Sequence, residues 1–516
     1  MRNFLTVFGR AGLYLTVFLT GASVMVIELL GTRMIAPFYG ASLYVWSSLI
    51  SVTMIALATG YFIGGYWADR ARRTGLSLII ALAALLTLFI PWATRTVLLA
   101  TDPLGLRMGA FASSLVLFLP SLTFLGMVGP FAIKLATSQL EGVGTTSGSI
   151  YAVSTLGSVV GTLVLGFYLF PLVGSREILI GAGVLLFLLA IVLSLFEQKR
   201  LGKMLTVLPS VLLAAAGLLL LPKVVDAGHQ NTRGGQFKII SEQESLYGWV
   251  RVIDQPAKDL RMLTSDASMI GAASISSGES RLSYQDIVGL IPAMAPKMSR
   301  ALIVGLGAGH MAQVLHERYG IAVDTLEIDP AVAAAARDHF GYRIHGQSVI
   351  GDARYEIRHL QGKYDLIIHD CFTGGAEPAH LLTVETLRQL KQLLSEQGIL
   401  AVNFVGFAEG RVNPPLASVA KTIEQVFPHL SIFISEPGVD FNDFIFLAAR
   451  KPLDLTSPSL LPAQAEWLNR RIFAVDRSPG RILTDNLNPL EHLQIRKSEH
   501  YRHFLVDWLG ADLLVR

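Results

Sequence analysis

Cysteine is nearly absent. Cys371 is the only one in 516 residues, so no disulfide framework and no cysteine-based metal site can form within one chain. Charge is scarce too: 16% of residues are charged against 52% hydrophobic. That scarcity is local. Residues 1–222 hold 13 basic and 6 acidic side chains, net +7, whereas the remainder holds 29 basic and 33 acidic, net −4. The first part is too apolar and too charge-poor for a soluble domain. The second has ordinary globular composition and room for one sizeable core.

The apolar part reads as multi-span α-helical membrane domain. A span needs ~20 apolar residues to cross ~30 Å of hydrocarbon. Seven candidates run roughly 11–30, 43–66, 76–99, 109–133, 149–172, 178–196 and 204–222. Basic residues gather after the second, fourth and sixth (Arg70, Arg72, Arg73, Lys134, Lys199, Arg200, Lys203), which puts the N-terminus inside. Seven crossings would then leave the soluble part outside; a seventh segment that fails to cross leaves it in the cytoplasm, the placement preferred here. Localisation is therefore expected at the cell (inner) membrane, multi-pass. Glu28 and Arg33 mark the end of the first span, as an ion pair or as snorkelling interface residues. The stretch "GGYWADRARR" (64–73) loosely resembles a loop of major-facilitator transporters but lacks its internal glycine, and reads better as a basic loop.

From residue 223 the organisation changes. Residues 223–300 form a linker and a small β-rich lead-in, with strands in "YGWVRVID" (247–254) and "LRMLTSD" (260–266) and a helix in "RLSYQDIVGLIPAM" (281–294). From 301 to 516, apolar strands alternate with amphipathic helices. Strands are expected at 300–304, 322–327, 347–350, 365–369, 398–405, 430–434 and 443–449, and helices at 309–318, 330–339, 353–360, 383–395 and 414–427. That alternation implies an α/β Rossmann-like domain whose ligands sit at the carboxyl ends of parallel strands.

Four strand ends carry chemistry. The first is Gly305-Leu306-Gly307-Ala308-Gly309 in "ALIVGLGAGH". The dinucleotide fingerprint G-x-G-x-x-G is missing, because His310 stands where its third glycine belongs. What remains is G-x-G-x-G, the form of nucleoside-sulfonium sites. Glu327, 18 residues past Gly309, can accept from ribose hydroxyls. Asp352 can accept from an adenine amino group, with Ala353 leaving space. Asp370 ends the fourth strand. Any single acid could be a helix cap, and Asp329 before Pro330 reads as one.

These residues resemble the spermidine synthase family of polyamine aminopropyltransferases, in particular its membrane-attached bacterial members. The resemblance covers about residues 240–450 and rests on Glu244-Ser245-x-Tyr247-Gly248, Tyr284-Gln285, the glycine loop, Glu327-Ile328-Asp329, Gly351-Asp352-Ala353 and "YDLIIHD" (364–370). It implies a class I methyltransferase-type sheet behind an N-terminal β-hairpin region. It implies aminopropyl transfer from decarboxylated S-adenosylmethionine, a co-substrate, to an amine such as putrescine, with methylthioadenosine as product. By that resemblance Asp370 is the catalytic base and Tyr284 shapes the amine site. Gly305, Gly307, Gly309, Glu327, Asp352 and Ala353 hold the donor, and Tyr247, Asp266 and Gln285 contact substrate. No metal, no tightly bound cofactor and no nucleic acid is expected; the expected partners are a small amine, the lipid bilayer and a second copy of the chain in a homodimer. The pattern departs at Ala308, where family members carry an aspartate, at Gly248 in place of glutamine, and at Gln285 in place of histidine. Methyl transfer, and a transporter or sensor with a non-catalytic synthase-like domain, are the alternatives.

Overall fold

The computed structural model describes residues 2–515 except 41, 71–74, 138–141, 171, 202–206, 220–228, 233, 234, 296, 373, 374, 409–412, 511 and 512. The chain forms two compact units, one of residues 1–226 with the last residues of the chain, the other Ala227–Gly510.

The first unit is helical: α1 (Arg2–Tyr39), α2 (Leu43–Arg70), α3 (Leu76–Thr101), α4 (Gly105–Ala136), α5 (Val143–Val164), α6 (Ser175–Leu201) and α7 (Val207–Leu219). Among the described residues, five helical runs are long and apolar enough to cross a membrane: Gly9–Tyr39, Leu43–Arg70, Leu76–Ala136, Val143–Leu169 and Ser175–Leu195. The run Leu76–Ala136 contains two helices. The Thr87 and Ser121 hydroxyls hydrogen-bond at 2.6 Å and those of Thr101 and Ser113 at 2.7 Å, a pairing that requires α3 and α4 to run antiparallel. The seventh candidate lies partly outside the described residues. Within them α7 has 13 residues. Helices of this unit touch backbone to backbone: a Cβ on Gly157 would lie 2.1 Å from the Phe18 carbonyl oxygen, the small-residue packing that helices use where water cannot drive association. Arg33 stacks over Phe170 at 5.0 Å. In the basic loop Asp69 pairs with Lys134 at 3.1 Å, and Arg72 and Arg73 lie outside the described residues.

The second unit begins with an antiparallel meander: β1 (His229–Thr232), β2 (Gly235–Glu244), β3 (Trp249–Gln255), β4 (Leu260–Ser265) and β5 (Ser268–Ser274). The sequence shows two of these five strands. The second half of β2, "SEQE", is polar, and β5 contains Gly271 with three alanine or serine neighbours, so neither carries the β-branched signal of a strand. Next come α8 (Tyr284–Met294), β6 (Arg300–Val304), α9 (His310–Tyr319), β7 (Ala322–Glu327), α10 (Pro330–Phe340), β8 (Ser348–Ile350), α11 (Ala353–Glu356) and β9 (Tyr364–His369). They are followed by α12 (Val384–Leu393), β10 (Leu394–Phe407), α13 (Pro414–Glu424), β11 (His429–Ile434), β12 (Phe441–Ala449), α14 (Pro462–Asn469), α15 (Leu490–Leu493) and α16 (Ile495–Leu509).

The large sheet has the order β11-β12-β10-β9-β6-β7-β8, with β12 antiparallel to both neighbours. Its central strands are apolar at their middles: Leu302, Val304, Ile367 and Leu400 face one layer, and Ala301, Ile303, Leu366 and Ile368 the other. Both faces are therefore buried, as a parallel sheet requires. Helix α12 offers Val384, Leu387, Leu390 and Leu393 to the first layer and is capped by Thr383, whose hydroxyl accepts from the Thr386 N–H. Each expected strand of this sheet is present. Helix α11 stops at Glu356, short of the expected 360. The terminal helices α14 to α16 have no counterpart in the sequence reading.

One buried ion pair ties the last helix to the sheet. Lys497 of α16 and Glu377 are each 4% exposed and in contact. Glu377 also accepts from Gln494 at 3.0 Å and from the Val405 N–H of β10 at 2.8 Å. Breaking a buried pair from one side leaves an uncompensated charge and costs about 3–5 kcal/mol. Lys497→Met should therefore reduce hydrogen-exchange protection of the Val405 region markedly. The double variant Glu377→Gln/Lys497→Met should recover most of it; equal losses in the single and double variants would contradict this account.

Candidate active site

The chain passes from β6 through β7 to β8 on one side, then returns to place β9 on the other side of β6. Ligands of such sheets bind at this reversal. A cavity of ≈ 370 Å³ lies here, lined by the loops after β6, β7, β8 and β9, by the meander, and by Tyr501 of α16.

The glycine loop is compressed from several directions. Gly305 has φ 93° and a Cβ there would meet the Asp370 carbonyl oxygen at 2.2 Å; at Gly307, φ 54°, it would meet the Ile270 carbonyl oxygen at 2.5 Å. Only glycine combines a positive φ with such approach. Gly305 and Gly307 line the cavity, whereas Gly309 caps α9 and packs on Tyr342. His310, in place of a further glycine, is buried with its ring edge-on to Phe340. Ala308 does not line the cavity: it is buried with Val250, Leu263 and Ala273, and a Cβ on Gly271 would come within 2.6 Å of its methyl. The loop thus contributes no acid.

Glu327 lies at the end of β7 and is buried. Its Oε2 accepts from the Leu306 N–H at 3.0 Å and its Oε1 from the Asp329 N–H at 3.0 Å. One carboxylate so fixes the glycine loop to the turn after β7 and keeps a lone pair on each oxygen for a ligand. Burial raises its pKa, and the two backbone N–H groups oppose that. Asp329 caps α10 by accepting from the Ala331 N–H at 2.8 Å. Asp352 likewise caps α11, accepting from the Arg354 N–H at 2.7 Å, and with Ala353 it lines the cavity.

Asp370 is held on three sides. Its N–H donates to the Val304 carbonyl at 2.9 Å. Oδ2 accepts from the Tyr284 hydroxyl at 2.7 Å, and Oδ1 from the Asn403 amide at 2.9 Å. Gln285 donates to the Tyr284 oxygen at 3.3 Å, fixing the hydroxyl that points at Asp370. Burial raises the Asp370 pKa, against its two donors. Burial, then the Asp370 charge, push the Tyr284 hydroxyl well above its ordinary range, so it remains a donor. Cys371 is kept a thiol by burial and by Glu327 and donates to the Val304 carbonyl at 3.3 Å. That suits packing rather than nucleophilic attack.

Two further residues escaped sequence reasoning. Asp443, near the start of β12, reaches the same Asn403 nitrogen at 3.4 Å; burial and the Asp370 charge push its pKa up to about 7. Tyr501 accepts from the Met269 N–H at 2.9 Å, joining the last helix to the meander beside the cavity. Strand-end logic finds neither. An antiparallel strand brings its beginning, not its end, to this edge of the sheet, and a helix 130 residues past Asp370 leaves no local signature. Of the substrate contacts expected from sequence, Tyr247 lines the cavity and Gln285 acts through Tyr284. Asp266 is not among the lining residues: its Oδ1 accepts from the Trp249 N–H at 2.8 Å, tying the turn after β4 to the start of β3.

No family model matches the sequence. A polyamine aminopropyltransferase of Vibrio vulnificus (strain CMCP6) is 37% identical over 292 residues, which is 50% of this chain and 93% of that protein. The chain belongs to the polyamine aminopropyltransferase family. A probable polyamine aminopropyl transferase of Bifidobacterium longum (strain NCC 2705) is 25% identical over 281 residues, 49% of this chain and 61% of its own length. An N-terminal histidine N-methyltransferase of Emericella nidulans is 29% identical over 246 residues, and the chain spans only 42% of that protein. Among solved structures, a probable spermidine synthase from Corynebacterium glutamicum ATCC 13032 aligns over 42% of this chain and 83% of its own at 18% identity, with a TM-score of 0.38.

Membership of the aminopropyltransferase family makes an adenosyl nucleoside the ligand to test. Glu327→Gln removes the charge that accepts at this site. It should weaken methylthioadenosine binding by roughly 1–3 kcal/mol, the range for a hydrogen bond to a charged group. Unchanged calorimetric affinity in that variant would remove the assignment.

Proposed function

We propose that the unit of residues 227–510 transfers an aminopropyl group from decarboxylated S-adenosylmethionine to a polyamine acceptor such as putrescine. One observation carries this reading: five carboxylates line the cavity (Glu327, Asp329, Asp352, Asp370 and Asp443), and no Lys or Arg does so among the described residues. Such a wall suits a sulfonium donor and an ammonium acceptor, and offers no Lys or Arg to pair with a substrate carboxylate. It therefore favours the decarboxylated donor even though position 308 is alanine.

In this reading Glu327 accepts from the ribose hydroxyls and Asp352 from the adenine amino group. Gly305 and Gly307 let the backbone come close to the nucleoside. The acceptor amine sits against Asp370. Alkyl ammonium groups have pKa values near ~10, so the amine arrives protonated. Asp370 takes that proton. The freed nitrogen lone pair attacks the methylene carbon next to sulfur; the C–N bond forms as the C–S bond breaks. The bonding pair returns to sulfur, which leaves as the neutral thioether of methylthioadenosine. Tyr284 and Asn403 orient the Asp370 carboxylate throughout, and no covalent enzyme intermediate is needed.

A second reading, methyl transfer from S-adenosylmethionine, is favoured by the likeness to the Emericella protein named N-terminal histidine N-methyltransferase and by Ala308. It requires a partner for the donor's carboxylate, and the described cavity wall has no Lys or Arg to serve as one. The catalytic unit is placed in the cytoplasm. The basic loops support this, since an even number of crossings by α1 to α6 returns the chain to the side of its N-terminus.

Asp370→Asn keeps size and hydrogen bonding but removes base and anion. Methylthioadenosine binding should survive while turnover falls about 10²–10⁴-fold. Saturating donor should not rescue the rate, and raising the pH should recover part of it, because more acceptor is then already neutral. A variant that turns over at the wild-type rate at neutral pH would remove Asp370 from this role.

A further inference from the structure

The helical unit holds one acid far from any helix end. Among the described residues Asp69, Asp102 and Glu177 stand close to a helix terminus, whereas Glu28 stands well inside α1. The sequence puts Glu28 at the end of the first span. The structure continues that helix to Tyr39, in a run, Gly9–Tyr39, long and apolar enough to cross a membrane. Centred in ~30 Å of hydrocarbon, this run places Glu28 about 6 Å from the midplane, beyond the reach of so short a side chain to water. Among the described residues no charged side chain of α2 to α6 acts on Glu28, and Arg33 of its own helix lies over Phe170. An ionised carboxylate at that depth is costly, whereas the neutral acid is tolerated.

Two hydroxyls beside Glu28 are unlike the others of this unit. Thr16, Thr20, Ser23, Ser48, Thr87 and Thr94 each donate to the carbonyl four residues earlier, at 2.7–2.9 Å. Such back-bonding satisfies a hydroxyl within its own helix. Thr32 and Thr53 are 7% and 1% exposed, and their hydroxyls form no hydrogen bond among the described residues. Thr32 follows Glu28 by one turn of α1, and side chains of a helix lean back towards the preceding turn. Thr53 faces Glu28 from α2. Gly31 lets the two helices approach here: a Cβ on it would meet a Leu49 methyl at 2.7 Å, and Leu49 lies one turn before Thr53. A hydroxyl that is not returned to its own helix can donate to a carboxylate or accept from a carboxylic acid. Two of them around one carboxyl suit both of its protonation states.

We propose that Glu28, with Thr32 and Thr53, is a proton-binding site inside the helical unit. The proton is taken up on the Glu28 carboxyl, whose O–H then donates to a threonine oxygen. On release, both hydroxyls turn to donate to the anion. The helical unit thereby does more than anchor the chain, and this holds whatever group the second unit transfers.

The test uses the full chain in phosphatidylcholine vesicles and dicyclohexylcarbodiimide, a lipid-soluble reagent. A carboxylic acid adds across its C=N bond, the proton going to nitrogen and the carboxyl oxygen to carbon, and the acyl group then moves to nitrogen as a stable N-acylurea. Peptide mapping should find this adduct at Glu28, fading as the pH is raised and lost in Glu28→Gln. Thr32→Val and Thr53→Val should each move the midpoint of that fading upward by about half to one pH unit, because each removes a donor to the anion. A carboxyl with a merely structural role gives no such movement. Absence of an adduct at Glu28 at every pH overturns the proposal, as does labelling that does not change with pH. A midpoint unmoved in both threonine variants overturns the site as composed here. Labelling slowed by sodium chloride but not by choline chloride overturns the proton as ligand and puts a sodium ion in its place.

Discussion

The site depends on the contact between the ends of β6 and β9. At the reversal of strand order the Asp370 N–H closes on the Val304 carbonyl at 2.9 Å, and a Cβ at Gly305 would stand 2.2 Å from the Asp370 carbonyl oxygen. Glycine at 305 is therefore a condition for the two strand ends to meet. Once they meet, the glycine loop, Glu327 and Asp370 face one space. The loop is then fixed by the Glu327 carboxylate, and Asp370 by Tyr284 and Asn403. A side chain at 305 would separate the glycine-loop half of the cavity from the half that carries Asp370.

Electrostatics follows from this geometry. Strand ends that converge bring carboxylates together, and burial disfavours their charged forms. Asp370 and Glu327 are raised and Asp443 reaches about 7. The protein offsets little of this within the cavity. The buried ammonium of Lys497 does not line the cavity: it pairs with Glu377, which holds α16 and the strand β10 to each other behind the site. The cavity wall thus holds negative charge for a cation from outside. The proposed substrates, a sulfonium and an ammonium, bring that charge and lose one positive charge as the reaction proceeds.

Much of this was legible in the residues, for identifiable reasons. The stretch "LIIH" begins with three apolar residues and is buried on both faces, and Asp370 stands out as the first acid past it. Glu327 and the glycine loop follow the same rule of parallel strands. Elements without a strong local pattern were not legible: β5, built of small residues, and the polar half of β2. Asp443 failed for a topological reason, since only the knowledge that β12 runs backwards puts its beginning at the active edge. Tyr501 and Lys497 failed because pairing across more than a hundred residues has no period. Asp266, expected to contact substrate, accepts from the Trp249 N–H. Seven apolar segments were visible by length and hydropathy, but whether the last one crosses depends on where its helix starts and stops, which hydropathy does not define.

The most direct measurement of the central claim is identification of the nucleoside released when the purified full chain is incubated with labelled donors and a set of amines. The account predicts methylthioadenosine from decarboxylated S-adenosylmethionine, formed together with an aminopropylated diamine, and no product from S-adenosylmethionine itself. Release of S-adenosylhomocysteine from S-adenosylmethionine, with the decarboxylated donor inert, would contradict it and establish methyl transfer in its place.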